Sequence, residues 1–175
     1  MLTRRNLALG AGAMAIVACT QSQSRAEPTE TAKVTDVNAN IDWANLSDQD
    51  WKTRLTDMEY RVLRHEGTER PFSSPLNDIK KSGTYACAGC GLPLFTSDKK
   101  FDSGTGWPSF FDVIPDAVGT KVDRKLFVAR TEYHCSRCGG HQGHVFKDGP
   151  APTGLRYCNN GVALKFIEAL SLIHI

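Results

Sequence analysis

The chain has 175 residues, 41% hydrophobic and 23% charged, which suits one globular domain with appendages. Its 21 basic and 19 acidic residues give a formal charge of +2, and setting aside Arg4 and Arg5 leaves 19 of each sign. That balance excludes nucleic acid as an expected partner, because such binding needs an excess of positive charge on one face.

Residues 1–25 read as an export signal: a basic start, a short Gly/Ala-rich apolar run and a small-residue site at Ala18. The run is too short to span a bilayer. Thr3-Arg4-Arg5-Asn6-Leu7 resembles a twin-arginine signal. Ile16-Val17-Ala18-Cys19 resembles a bacterial lipobox, in which cleavage before Cys19 leaves a lipidated membrane tether. The alternative is ordinary cleavage after Ala18 with Cys19 incidental. Either outcome places the mature chain in the bacterial cell envelope, the periplasm. Residues 26–45 are polar and read as a flexible tether.

The body is expected over residues 46–168, with an apolar tail at 169–175. Ser47 and Asp50 form a capping-box pattern that opens a helix. Trp51, Leu55, Met58 and Val62 then lie on one helical face, and Gly67 ends it. From Tyr85 onward the pattern is period two with frequent Gly and Pro, as in antiparallel β-structure. Two such runs are Leu126 to Thr131 and Val162 to Ile167.

Cys87-Ala-Gly-Cys90-Gly91 and Cys135-Ser-Arg-Cys138-Gly139 are two matching knuckles. Each turn points two sulfurs at one spot, and two turns together supply the four thiolates of a tetrahedral Zn²⁺ site. Residues 91–134 lie between the knuckles, so a domain fits between them with zinc as a clamp on its ends. Disulfides within each knuckle are the rival reading, favoured by an oxidising compartment but closing only tiny loops. A thioredoxin-like redox pair is a further rival, without the βαβ pattern it needs.

Cys158 is the one cysteine of the body outside these pairs, and His141 and His144 precede it closely. A solitary thiol near histidines is a candidate nucleophile; a buried structural cysteine beside polar loop histidines is the plain alternative.

Several motifs in fixed order resemble the methionine sulfoxide reductase B family. They are Gly67-Thr-Glu-Arg-Pro-Phe72, the two knuckles, Phe101-Asp-Ser-Gly-Thr-Gly-Trp-Pro-Ser-Phe110 and Arg130-Thr-Glu132. They continue through His141-x-Gly-His-Val-Phe146, Asp148-Gly-Pro150, Pro152-Thr-Gly154 and Arg156-Tyr-Cys-x-Asn160. The resemblance covers roughly Leu46 to Ile167. It implies a mainly β fold of two antiparallel sheets, short N-terminal helices and a structural Zn²⁺ on Cys87, Cys90, Cys135 and Cys138. It implies reduction of methionine R-sulfoxide, free or in oxidised proteins, with a thioredoxin-like reductant as partner.

The same resemblance assigns the site. Cys158 becomes the nucleophile that passes through a sulfenic acid. His144 is the acid or oxygen-binding group with His141 beside it, suited by an ordinary pKa near neutrality. Asn160 orients these groups. Trp107 walls the substrate's methyl group, with Phe146 and Arg156 also at the substrate, and the Arg156 charge favours the thiolate. Many relatives carry a resolving cysteine where this chain has Thr105, which implies recycling by an external thiol. Gln142 replaces the usual Leu and is expected to be tolerated. The competing function is a non-catalytic, zinc-stapled β module that binds a protein partner.

Overall fold

The computed structural model describes residues 41–125 and 128–170. The expected export signal with Cys19, residues 26–40 of the expected tether and residues 171–175 of the tail lie outside the described residues.

The start of the domain is earlier than the sequence suggests. Trp43 is 7% exposed and packs on Trp51 with ring centroids 6.0 Å apart, and Ile41 also packs against the core. One large aromatic in a polar run is enough to anchor residues 41–45, so the expected tether at 26–45 runs too long. The single expected helix is two, α1 (Asp48–Arg54) and α2 (Asp57–His65). Ser47 and Asp50 cap α1 as expected, but Thr56 and Glu59 form a second capping box that starts a new helix. Leu55 between them takes an extended backbone. Trp51, Leu55 and Val62 still face the core, whereas Met58, next to the break, is 42% exposed. The left-handed residue ending α2 is Glu66, at φ 53°. Gly67 serves instead through close approach, because a Cβ there would lie 2.9 Å from the Arg61 carbonyl.

Among the described residues, nine strands form two antiparallel sheets. The smaller has the order β2 (Pro93–Thr96), β1 (Gly83–Cys87), β9 (Leu164–Glu168). In the larger, β3 (Lys100–Phe101), β4 (Ser109–Phe110) and β8 (Arg156–Asn159) lie on one side. It continues through β7 (His141–Phe146), β6 (Arg130–Cys135) and β5 (Val118–Asp123). The aromatic core is Tyr85, Phe95, Phe110 and Tyr133, all fully buried, with Phe95 stacked on Phe110 at 4.1 Å. Both expected strands start later than the alternation implied. β6 begins at Arg130, with Val128 72% exposed, and Leu126 and Phe127 lie outside the described residues. The Asp123 carboxylate accepts from the Lys125 N–H and turns the chain there. Residues Gly161–Ala163 form a 3₁₀ turn before β9.

Cys87 ends β1 in one sheet, and Cys135 ends β6 in the other. Gly91 and Gly139 close the knuckles at φ 75° and 67°, each donating back to the first cysteine's carbonyl. The cysteine cluster therefore joins the two sheets.

Candidate active site

β8 carries Cys158 in the middle of the larger sheet, paired with Ser109 on one side and His144 on the other. The thiol opens onto a cavity of about 130 Å³. Trp107 and Phe146 line its apolar side, and His144, Arg130 and Thr68 its polar side. Gly143 is required where β7 passes β8, since a Cβ would sit 1.9 Å from the Cys158 carbonyl oxygen.

Two histidines three residues apart on a regular strand would face opposite sides of the sheet. The pairing of β6 with β7 slips by one residue at Gln142, so Tyr133 opposes Gly143 and His134 opposes His141. That bulge turns both imidazoles to one face, with ring centroids 5.5 Å apart. Only His144 lines the cavity. His141 is 3% exposed and lies behind it, with Nδ1 2.7 Å from the equally buried Glu132 carboxylate. This makes His141 a supporting group rather than one that meets a ligand in the cavity.

His144 Nε2 lies 2.8 Å from Asp123 Oδ2, and Arg130 donates to the same oxygen at 2.6 Å. The Lys125 N–H first, and then His144 and Arg130, hold the Asp123 carboxyl far below the usual carboxylate range. Burial pushes the His144 pKa down, against the Asp123 hydrogen bond that pushes it up. Burial likewise raises the Cys158 thiol above its ordinary value, opposed by the Arg156 charge and the Thr105 hydroxyl. Burial thus disfavours the charged form of both groups, while Asp123 favours it at His144 and Arg156 favours it at Cys158. Arg156 does not line the cavity. It grips Asp148 with two bonds of 2.9 and 2.8 Å, lies 4.4 Å over the Phe146 ring and acts on Cys158 through its charge.

Asn160 reaches the cavity, but its amide is committed elsewhere. It donates to the Gln142 carbonyl at 3.0 Å and accepts from the Glu69 N–H at 3.0 Å. It therefore orients backbone segments, not the histidines directly. Glu69 ties the same region together. Its buried carboxylate accepts from Gly161 N–H and, at 3.1 Å, from Val162 N–H, while its carbonyl accepts from Trp107 Nε1 at 3.2 Å. Gln142 is fully buried, with Nε2 3.5 Å from Cys87 Sγ and Oε1 3.4 Å from Asn159 Nδ2. Its amide is satisfied between the cysteine cluster and β8, which a leucine would not reproduce.

Sequence reasoning gave no role to Asp123, Glu132, Glu69, Arg130 or Asn159. Arg130, Glu132 and Glu69 sat inside recognised motifs, which was a signal. Asp123 had none, because its role follows from strand register.

Cys87, Cys90, Cys135 and Cys138 are buried free thiols whose sulfurs all lie within 4.8 Å of one another. Cys87 to Cys138 is 3.7 Å and Cys90 to Cys135 is 3.5 Å. A tetrahedron with metal–sulfur bonds of about 2.3 Å has edges of about 3.8 Å, so this donor set fits such an ion. The four cysteines could hold a metal ion.

Residues 55–168 match the SelR domain model. The chain is 60% identical over 121 residues to "Peptide methionine sulfoxide reductase MsrB" of Methanosarcina barkeri, covering 69% of this chain and 85% of that one. The protein of the same name from Leptospira interrogans is 54% identical, with 70% and 94% covered. That from Agrobacterium fabrum is 53% identical, with 70% and 91% covered.

Proposed function

This chain belongs to the methionine sulfoxide reductase B family, and from that membership we infer how its residues carry out the reaction. It is a thiol-dependent methionine sulfoxide reductase. The observation that carries the detailed reading is Cys158 on the floor of a cavity walled by Trp107 and Phe146, with His144 on its polar side.

The substrate's methyl group lies against Trp107, and the sulfoxide oxygen faces His144. The Cys158 thiol gives its proton to His144 as its sulfur attacks the sulfoxide sulfur, and the imidazolium so formed, paired with Asp123, protonates the sulfoxide oxygen. Oxygen passes to Cys158, which becomes a sulfenic acid. The sulfoxide sulfur gains two electrons and leaves as methionine, and Cys158 loses two. A thiol donor then attacks the sulfenic sulfur and expels water, and a second thiol breaks that disulfide to restore Cys158. Thr105 stands beside Cys158 without a thiol to offer, which favours an external, thioredoxin-like donor.

The ion held by Cys87, Cys90, Cys135 and Cys138 is Zn²⁺ in this reading, with a structural role. These sulfurs join the two sheets and take no part in oxygen transfer. The chain works in the bacterial envelope. Arg4 and Arg5 belong to a twin-arginine signal that exports the domain already folded around zinc, and Cys19 is the candidate lipid anchor. The rival reading, a zinc-stapled module without catalysis, does not explain a complete thiol, imidazole and aromatic constellation.

The test is an assay of purified mature protein on separated R and S epimers with dithiothreitol as donor. Turnover of the R epimer alone is expected; activity only on S, or on neither, overturns the reading.

A further inference from the structure

Phe72 is 74% exposed and sits at φ 61°, a left-handed backbone that bulky residues rarely adopt. It is locked there. Its N–H donates to the Gly106 carbonyl at 2.7 Å, and Asn77 Nδ2 donates to the same oxygen at 3.1 Å. Its ring lies so close over Gly106 that a Cβ there would come within 2.8 Å of ring carbons. A strained backbone that presents an aromatic ring to solvent does nothing for the core, and such strain gathers at binding sites.

Phe72 borders a second cleft of about 140 Å³, with Phe101, Lys80 and Lys100 also on its walls. That cleft adjoins the Cys158 cavity, with Trp107 lining both. A methionine sulfoxide side chain held on one side of Trp107 has its own backbone leaving over the indole. A free amino acid ends there. A polypeptide continues toward Phe72.

We propose that Phe72 and the cleft behind Trp107 form a subsite for the polypeptide that flanks an oxidised methionine. The inference rests on the reductase reading above and names its substrate as methionine sulfoxide within a protein chain. The cleft carries both signs of charge, with Asp78 and Asp102 beside Lys80 and Lys100, so the ring and not a charge selects the flanking residue. An apolar neighbour of the oxidised methionine packs on the exposed face of Phe72.

The test compares two substrates, methionine R-sulfoxide in a short peptide with leucine on each side and N-acetyl-methionine R-sulfoxide amide. The variant is Phe72→Gly, because glycine adopts the positive φ without strain and keeps the N–H bond to Gly106. Its melting temperature should equal or exceed that of the parent. Its kcat/KM should fall about tenfold on the peptide and stay within about twofold on the small substrate, as loss of one apolar contact predicts. Phe72→Tyr should restore the preference. An equal fall on both substrates, or no fall on either, overturns the subsite. Failure of the parent protein to reduce either substrate overturns the reductase reading itself, a separate result.

Discussion

Asp123 is the residue whose replacement tests the site most directly. Its Oδ2 accepts from both His144 and Arg130, and its Oδ1 accepts from the Lys125 N–H. In Asp123→Asn one carboxylate oxygen becomes an NH₂ group. If it faces His144, it opposes two donors; if it flips, it opposes the Lys125 N–H. Either way the imidazolium loses an anionic partner at 2.8 Å. A charge-assisted hydrogen bond contributes about 1.5–3 kcal/mol. At about 1.36 kcal/mol per factor of ten, kcat should fall roughly ten- to a hundredfold. The sign with pH follows from the same bond. Burial already lowers the His144 pKa, and Asp123 is the group that opposes it, so the variant's imidazole titrates lower still. The limb of the pH–rate profile that reports imidazolium should move to lower pH. Stopped-time reduction of the R-sulfoxide from pH 5 to 9 reads both effects, and the alkylation rate of Cys158 serves as a control for an intact pocket. A loss of less than threefold with an unmoved profile would refute the role given to the pair.

Cys158→Ser should abolish reduction while leaving metal content and melting temperature unchanged, measured by elemental analysis and calorimetry. Cys87→Ser removes one sulfur of four. It should release the metal and lower the melting temperature by about 10 °C or more, since metal binding at such a site is folding energy. Burial raises the Cys158 thiol above its usual pKa, so iodoacetamide should react slowly at pH 7 and accelerate only in alkali. In Arg156→Met the curve should move to still higher pH, because the charge that favours the thiolate is gone. Glu66 lies at about 2, lowered first by its hydrogen bond from Lys121 and then by that from Lys125. Its contribution is present above the unfolded carboxylate pKa and is lost as pH falls through about 2. Because the pair is partly exposed, Glu66→Gln should cost only about 1 kcal/mol at pH 7, and denaturant melts at pH 2 should show that gap closed.

The chemistry-bearing residues were legible because their types and spacings are unusual: paired cysteines, a lone cysteine, an Arg-Tyr-Cys run. The two-sheet β character was legible from alternation. What the sequence hid depends on register and distance. His-x-x-His gives no hint that a bulge at Gln142 turns both rings one way, or that His141 ends up behind His144. Asp123 reaches His144 only because β5 and β7 flank β6. The helix break at Leu55 was written in Thr56 and Glu59, but an unbroken apolar stripe masked it. Val128 misled because an apolar residue at a hairpin tip alternates as if it were in a strand.

The Glu69 carboxylate bonds to an N–H that lies 92 residues further along the chain. A contact of that span stabilises nothing until the entropy cost of closing the long loop has been met. Until such contacts close, Asn160 and Trp107 lack the backbone atoms that hold them, and the cavity over Cys158 has no complete wall. The pocket of the oxygen-accepting thiol therefore depends on contacts that local structure alone cannot supply. A partly folded chain, whether newly made or damaged, carries only an ordinary cysteine at this position.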